Sequence, residues 1–192
     1  MAMSVLNPDR QIHPYPAQYV GPWTMRNGLS VLIRPICPDD EPLMVKFHET
    51  LSDRTVYMRY FTSLSLSRRT AHERLVRICT VDYDREMVLV AEKENPQTGE
   101  PQIIAVARLN QVQPETKSEA ELAVLVSDGY QKNGLGSEMI GRLIQFAQSK
   151  KETRLVAEML RDNVAMQTIF KRLGFQLRLV GDPASVQAVL DL

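Results

Sequence analysis

Apolar and polar residues change period along the chain, and each change marks an element. Leu29 to Arg34 is rich in β-branched and apolar residues and follows Asn27-Gly28, a tight-turn pair, which predicts a short strand. Pro38-Asp39-Asp40-Glu41-Pro42 carries helix-start chemistry: acidic side chains that accept from free N–H groups, and proline where no donor is lost. Leu43, Phe47 and Leu51 recur every four residues, so the helix runs to about Ser52. Ala71, Leu75, Ile78 and Cys79 share one face of a second helix over Ser67 to Cys79. Met87 to Glu92 reads as a strand, Asn95-Pro96-Gln97-Thr98-Gly99 as a hairpin turn, and Ile103 to Leu109 as its partner.

Glu119 to Val126 (EAELAVLV) is the most hydrophobic of the predicted strands and is placed at the centre. A polar loop with glycines follows, then a helix from about Gly136 to Lys150, with Leu135, Met139, Leu143 and Ala147 as its apolar face. Arg154 to Leu160 is the next strand. Asn163 can cap a helix to Leu173 that Gly174 stops, and Phe175 to Val180 pairs with Val186 to Leu190. The order β-α-α-β-β-β-α-β-α-β-β predicts a mixed α/β sheet with helices on both faces. Seven of the eleven prolines fall in the first 42 residues, so residues 1–26 read as an irregular leader or linker before one domain, 27–192.

Composition narrows the picture without naming a function. The 192 residues are 44% apolar and 24% charged, which excludes disordered and collagen-like classes. Basic and acidic residues both number 23, so no general attraction to nucleic acid or anionic membrane is expected. Cys37 and Cys79 are far apart, with no CxxC and no nearby His pair, which suggests neither disulfide nor metal site and makes a reducing cytoplasm the default. No run approaches the ~18 apolar residues of a membrane span.

The chemistry concentrates in strand, loop and helix: Val124-Leu125-Val126, then Gln131-Lys132-Asn133-Gly134-Leu135-Gly136-Ser137. Glycines let a backbone approach a bulky anion, and the free N–H groups of a helix start point at it with the helix dipole behind them. Taken alone, the window serves equally well as a loop that only caps a helix. A Walker loop is absent, and the glycines at 134, 136 and 141 miss GxGxxG by two residues.

Gln131, Gly134 and Gly136 do match the Q/R-x-x-G-x-G/A signature, and the chain resembles the GNAT N-acetyltransferases. The resemblance implies a mostly antiparallel sheet splayed at its central strands. Residues 131–137 would hold the pyrophosphate of acetyl-CoA, and backbone around Val124, Leu125 and Val126 would pair with its pantetheine. Asn163 stands where the family has an Asn touching the pantetheine arm, and Phe170 to Phe175 (FKRLGF) is similar to its closing helix. IRPICPDDEPLMVKF, SDRTVYMRYF, DYDREMVLVA and AELAVLV look more narrowly like the GNAT domain of bacterial Pat-type protein lysine acetyltransferases. In many of those the domain follows an NDP-forming acyl-CoA-synthetase-like region, and the HPYP stretch resembles the junction. A protein substrate with an exposed lysine is implied, with acyl-CoA synthetases as targets and coenzyme A as product.

The demanding step in that chemistry is proton removal. A free Lys has pKa ~10.4, so at pH 7 only about one in 2,500 is neutral, a deficit of ~4.6 kcal/mol. A partly desolvated carboxylate facing the cleft can take the proton. The resemblance places that base at Glu121; Glu119 shares the strand face and is the reserve. A backbone N–H near Val124 would hold the oxyanion. Where many relatives carry a Tyr to protonate the thiolate, this chain has Phe170, expected to pack near the thiol, and Tyr130 is expected to face away. His13, His48 and His72 read as surface or core, and both cysteines as small buried residues. Arg59 with Tyr57 and Tyr60 is expected between the first two helices, where such enzymes admit the acceptor. Asp82 to Glu86 receives no role. A small-molecule amine transferase and a non-catalytic acyl-CoA sensor remain as alternatives.

Overall fold

The computed structural model describes residues 14–112, 119–179 and 181–192; the first half of the expected leader, His13 and Val180 lie outside them. Among the described residues eight strands form one sheet: β1 (Gly21–Thr24), β2 (Ser30–Pro35), β3 (Glu86–Glu94), β4 (Pro101–Gln111), β5 (Glu119–Val126), β6 (Arg154–Leu160), β7 (Gln176–Leu179) and β8 (Ser185–Asp191). Their order is β1-β2-β3-β4-β5-β6-β8-β7. All neighbours are antiparallel except β5 and β6.

That parallel pair is joined by a crossover helix, α5 (Leu135–Ser149), as parallel strands require. Leu135, Met139, Leu143 and Ala147 of α5 are buried, as the four-residue spacing predicts, and Phe146 is buried with them. Each large side chain among them contributes roughly 1.5–3 kcal/mol by leaving water. Phe170 and Phe175 extend this layer around α6 (Val164–Arg172). The opposite face carries α1 (Glu41–Glu49) and α4 (His72–Cys79), whose Met44, Phe47 and Leu75 pack on Val88, Val90, Ile103 and Leu125.

Three expectations need correction. Gly21–Thr24, inside the stretch read as irregular, is edge strand β1; Pro22 is tolerated there because an edge strand has one side with no ladder to feed. Asp53–Tyr60 forms a helix, α2, that the pattern missed: only its Val56 is buried, so it has no apolar stripe to read. The helix expected over Ser67 to Cys79 is two, α3 (Leu66–Arg69) and α4, parted where Ala71 turns extended.

Candidate active site

β5 and β6 are paired over only three residues, Glu119 with Arg154, Ala120 with Leu155 and Glu121 with Val156. Beyond Glu121 the strands separate. The ladder to β4 shows what the separation exposes. Ser127 N donates to Ile104 O, and in an antiparallel ladder such exchanges occur at every second residue. Ala123 and Leu125 therefore spend their backbone groups on β4, while Val124 and Val126, past the last β6 pair, turn theirs into the gap. A cleft of about 900 Å³ fills that gap, bounded by β5, Ala157 and Met159 of β6, α2, α6 and the loop into α5.

The loop meets the cleft at the start of α5. Gly134 is the N-cap, at φ +88°, and gives the helix no side-chain cap. Gly134 thus gives the first N–H groups of this fifteen-residue helix no side-chain acceptor. Glu138, the acidic residue of the first turn, is held by Arg142 Nε at 2.8 Å. A Cβ on Gly134 would come within 3.3 Å of Trp23 and 3.4 Å of Arg26 Nε. One on Gly136 would meet nothing nearer than Val126 at 3.8 Å. The loop is braced from outside: Arg26 N donates to Asn133 O (3.1 Å), and Asn133 Nδ2 to Gln131 O (2.9 Å). Arg26 and Lys132, which both line the cleft, add cationic side chains beside these N–H groups.

Asp128 ties this loop to α2. It accepts from Ser52 N (2.9 Å), Ser52 Oγ (2.7 Å) and Thr55 Oγ1 (2.8 Å), while Ser52 Oγ itself caps α2. Gln131 Nε2 donates to Thr55 Oγ1 and to Val126 O, closing the web. Burial opposes ionisation of Asp128, but the Ser52 and Thr55 donors outweigh it and hold the carboxyl below the usual carboxylate range. A depressed folded value adds stability that is complete above the unfolded pKa of ~4 and is lost as pH falls through the folded one. Asp128→Asn should therefore lower Tm at pH 7 by about 1–2 °C, the shift for a loss of roughly 0.5 kcal/mol at an exposed, solvent-screened group in a chain of this size. The gap from the parent should shrink in melts taken below pH 4; a gap that stays constant down to pH 3 would mean that the charge is irrelevant.

Glu121 lies where the strands part. It lines the cleft and is exposed to it, rather than desolvated as expected. Strand alternation puts it on the same face as Leu125, the side of α1, α2 and α4. Glu119, two residues back, sits in the closed part of the β5–β6 pairing and is not among the cleft residues. Burial pulls the Arg59 guanidinium below its ordinary range, while Tyr60 and Glu121 oppose that fall.

This geometry agrees with known proteins. A family model for the acetyltransferase (GNAT) domain matches residues 30–176. The chain belongs to the GNAT acetyltransferase family. It is an acyltransferase domain, 32% identical over 163 residues to acetyltransferase Pat of Mycolicibacterium smegmatis. That match covers 85% of this chain and 44% of the relative, so the chain spans less than half of the relative's length. Acetyltransferase PA5475 of Pseudomonas aeruginosa is 27% identical over 152 residues, 79% of this chain and 78% of that one. Among solved structures, the GNAT domain of S. lividans PAT superposes with a TM-score of 0.82 at 27% identity, covering 93% of this chain and 99% of that one.

The GNAT cleft gathers the predicted site residues with one exception. Val124, Leu125, Val126, Gln131, Lys132, Gly134, Leu135, Gly136, Ser137, Asn163 and Phe170 all line it together with Glu121, and Asn133 does not. Asn163 also caps α6, its Oδ1 accepting from Met166 N. Tyr130, expected to face away, lines the cleft with Lys93 over its ring at 5.7 Å. Cys79 is buried and Cys37 half-buried, and His72 is exposed against Glu41. Arg59, Tyr57 and Tyr60 belong to α2 itself rather than to a connection. Sequence reasoning missed Arg26 because it was assigned to the leader; it lies in the turn between β1 and β2 that Asn27-Gly28 marks.

Phe170 is 2% exposed and packs edge-on against Phe175, ring centroids 4.8 Å apart. Phe170→Tyr should leave turnover within a few-fold, since a thiol of pKa ~8.5 leaves with little protonation. A steady-state gain approaching 10²–10⁴ would show that acid assistance had been limiting.

Proposed function

We propose that this domain transfers the acetyl group of acetyl-CoA to a lysine side chain of a protein. The observation that carries the proposal is the division of labour along β5. Its Val124 and Val126 backbone turns into the gap between the strands, while its Glu121 side chain lines the cleft on the α2 side. Donor and acceptor would then meet at one strand from different directions.

The residues present fit the donor. Uncapped N–H groups of α5, with Arg26 and Lys132 beside them, suit a pyrophosphate, and the glycines leave room for it. Leu125, Met159 and Phe170 give the cleft an apolar stretch for the pantetheine arm. Acetyl-CoA supplies an activated acetyl group. The chain's own tasks are to orient it, to offer the Val124 N–H to the carbonyl oxygen, and to remove a proton from the amine at Glu121 Oε. Direct attack of the neutral amine on the thioester then leaves coenzyme A as product.

The likeness to Pat-type acetyltransferases supports a protein as acceptor; acyl-CoA synthetases as targets and a synthetase-like region as fused partner rest on the sequence resemblance alone. Exposed Glu121 in the cleft favours catalysis over acyl-CoA sensing. Incubating the domain with acetyl-CoA and an acyl-CoA synthetase, followed by peptide mass spectrometry, tests the proposal. Acetyl-lysine on the synthetase is expected. Cofactor binding with no acetylated product would favour the sensor, and product only with a free amine would favour the small-molecule reading.

A further inference from the structure

On the sheet face that bears Glu121, a second cavity of about 80 Å³ lies between α1, α2, α4 and strands β3, β4 and β5. It shares Arg59 and residues 123–125 with the main cleft, so it is a side chamber of the same site. Its charged lining has one sign: Arg59, Arg74 and Arg108, with His48 and Tyr60 between them and no Asp or Glu.

Two of these side chains, His48 and Arg74, carry ring or guanidinium nitrogens without partners among the described residues. His48 is 1% exposed, and neither ring nitrogen has a partner among the described residues. The same holds for the buried Nε of Arg74; Nε and Nη1 of Arg69, which does not line the chamber but whose charge reaches His48, are also unpartnered. Burial first, then the charges of Arg74 and Arg69, push the His48 pKa down to about 4. At neutral pH its imidazole is therefore uncharged and brings one N–H to the chamber. Arg59 and Arg74 are held over the Tyr60 ring, 5.2 and 5.1 Å from its centroid. Arg108 already has Glu86 (2.7 Å) and Asn110 (2.6 Å).

A buried guanidinium nitrogen with no acceptor is costly, and while Glu86 pairs with Arg108 and Glu121 acts on Arg59, no acidic partner among the described residues meets Arg74. Water supplies lone pairs but no charge. A small oxyanion supplies both, and Arg recognises carboxylates and phosphates through its planar set of donors.

We propose that the chamber bounded by His48, Arg59 and Arg74 is a binding site for a small oxyanion, a carboxylate or phosphate group. Two sources share that chemistry: an acidic side chain of the acceptor, reaching in past residues 123–125, or a free anion. The site does not depend on what the acceptor is, and its test does not read acetyl transfer.

The test follows the histidine ring resonances of the full chain by NMR, with His48 assigned by loss of its signal in His48→Gln. Sodium acetate and inorganic phosphate are each titrated against sodium chloride at matched ionic strength. Saturating coenzyme A covers the α5 N-terminus in one series and is omitted in another. The acetate series reads the chamber whether or not coenzyme A binds. A saturable His48 shift is expected with the oxyanions and not with chloride. Arg74→Met and Arg59→Met should each raise the midpoint at least about tenfold, the loss of one charge-assisted hydrogen bond. Displacement of acetate by a Lys-Glu peptide but not by its Lys-Gln counterpart would assign the carboxylate to the acceptor. Displacement by neither would identify a free anion as the occupant, and the site stands in both cases. Shifts that match those of chloride, or midpoints unchanged in both arginine variants, would overturn it.

Discussion

Glu121→Gln should lower turnover on a lysine acceptor by about 10²–10⁴ at neutral pH, the usual contribution of a positioned base. The ammonium of a free lysine must give up its proton against a deficit of ~4.6 kcal/mol at pH 7, and glutamine cannot take it. Acetyl-CoA affinity should change little, because the carboxylate stands off the sheet face on the α2 side, whereas the backbone that faces the gap lies in the sheet plane. The defect should also shrink as pH rises from about 6.5 to 9.5, since more of the amine then arrives neutral. Glu119→Gln, assayed alongside, should stay near parental activity, because Glu119 lies in the closed part of the β5–β6 pairing. Collapse of Glu119→Gln with Glu121→Gln intact would reassign the base. If neither variant is impaired, the carboxylate mechanism is wrong.

Gly134→Val should weaken coenzyme A binding roughly 10–100-fold. The position sits at φ +88°, where a non-glycine residue costs about 1–3 kcal/mol. Its Cβ would also press on Trp23 at 3.3 Å, so the strain falls on the loop that orients the α5 N–H groups. Gly136→Val separates geometry from strain. Its Cβ meets Val126 and Ile169 at ordinary distances of 3.8 and 3.9 Å, so the fold should be intact by circular dichroism. Calorimetry should still show weaker binding, because the branched side chain stands where the pyrophosphate must approach. Unchanged affinity in both variants would move the cofactor site elsewhere.

The sequence was most legible where local pattern and tertiary role coincide. The ends of β5 and β6 are read correctly because both are apolar runs bounded by turn or cap residues. Asn163 caps α6 and Gly174, at φ +91°, ends it, as their residue types indicate. What stayed hidden depends on distant partners. The α2 helix exposes most of its surface and is anchored by Asp128, 76 residues away from Ser52, which no local period reveals. Glu119 and Glu121 are equivalent by strand parity. Only the point at which β6 leaves β5 distinguishes them. The motif marks Gln131 as a cofactor residue, yet its side-chain amide is spent on Thr55 and Val126, so its service to a bound anion would run through the backbone it steadies.

The central claim is that one cleft, opened where β5 and β6 part, brings the acetyl donor to an amine at Glu121. The most direct test is a crystal structure of the domain with acetyl-CoA. The claim predicts pyrophosphate oxygens on the N–H groups of residues 131–137, and the thioester carbonyl beside Val124 N in the gap between the strands. Density for the pyrophosphate away from that loop, or a thioester on the far side of β5 from any path to Glu121, would contradict it.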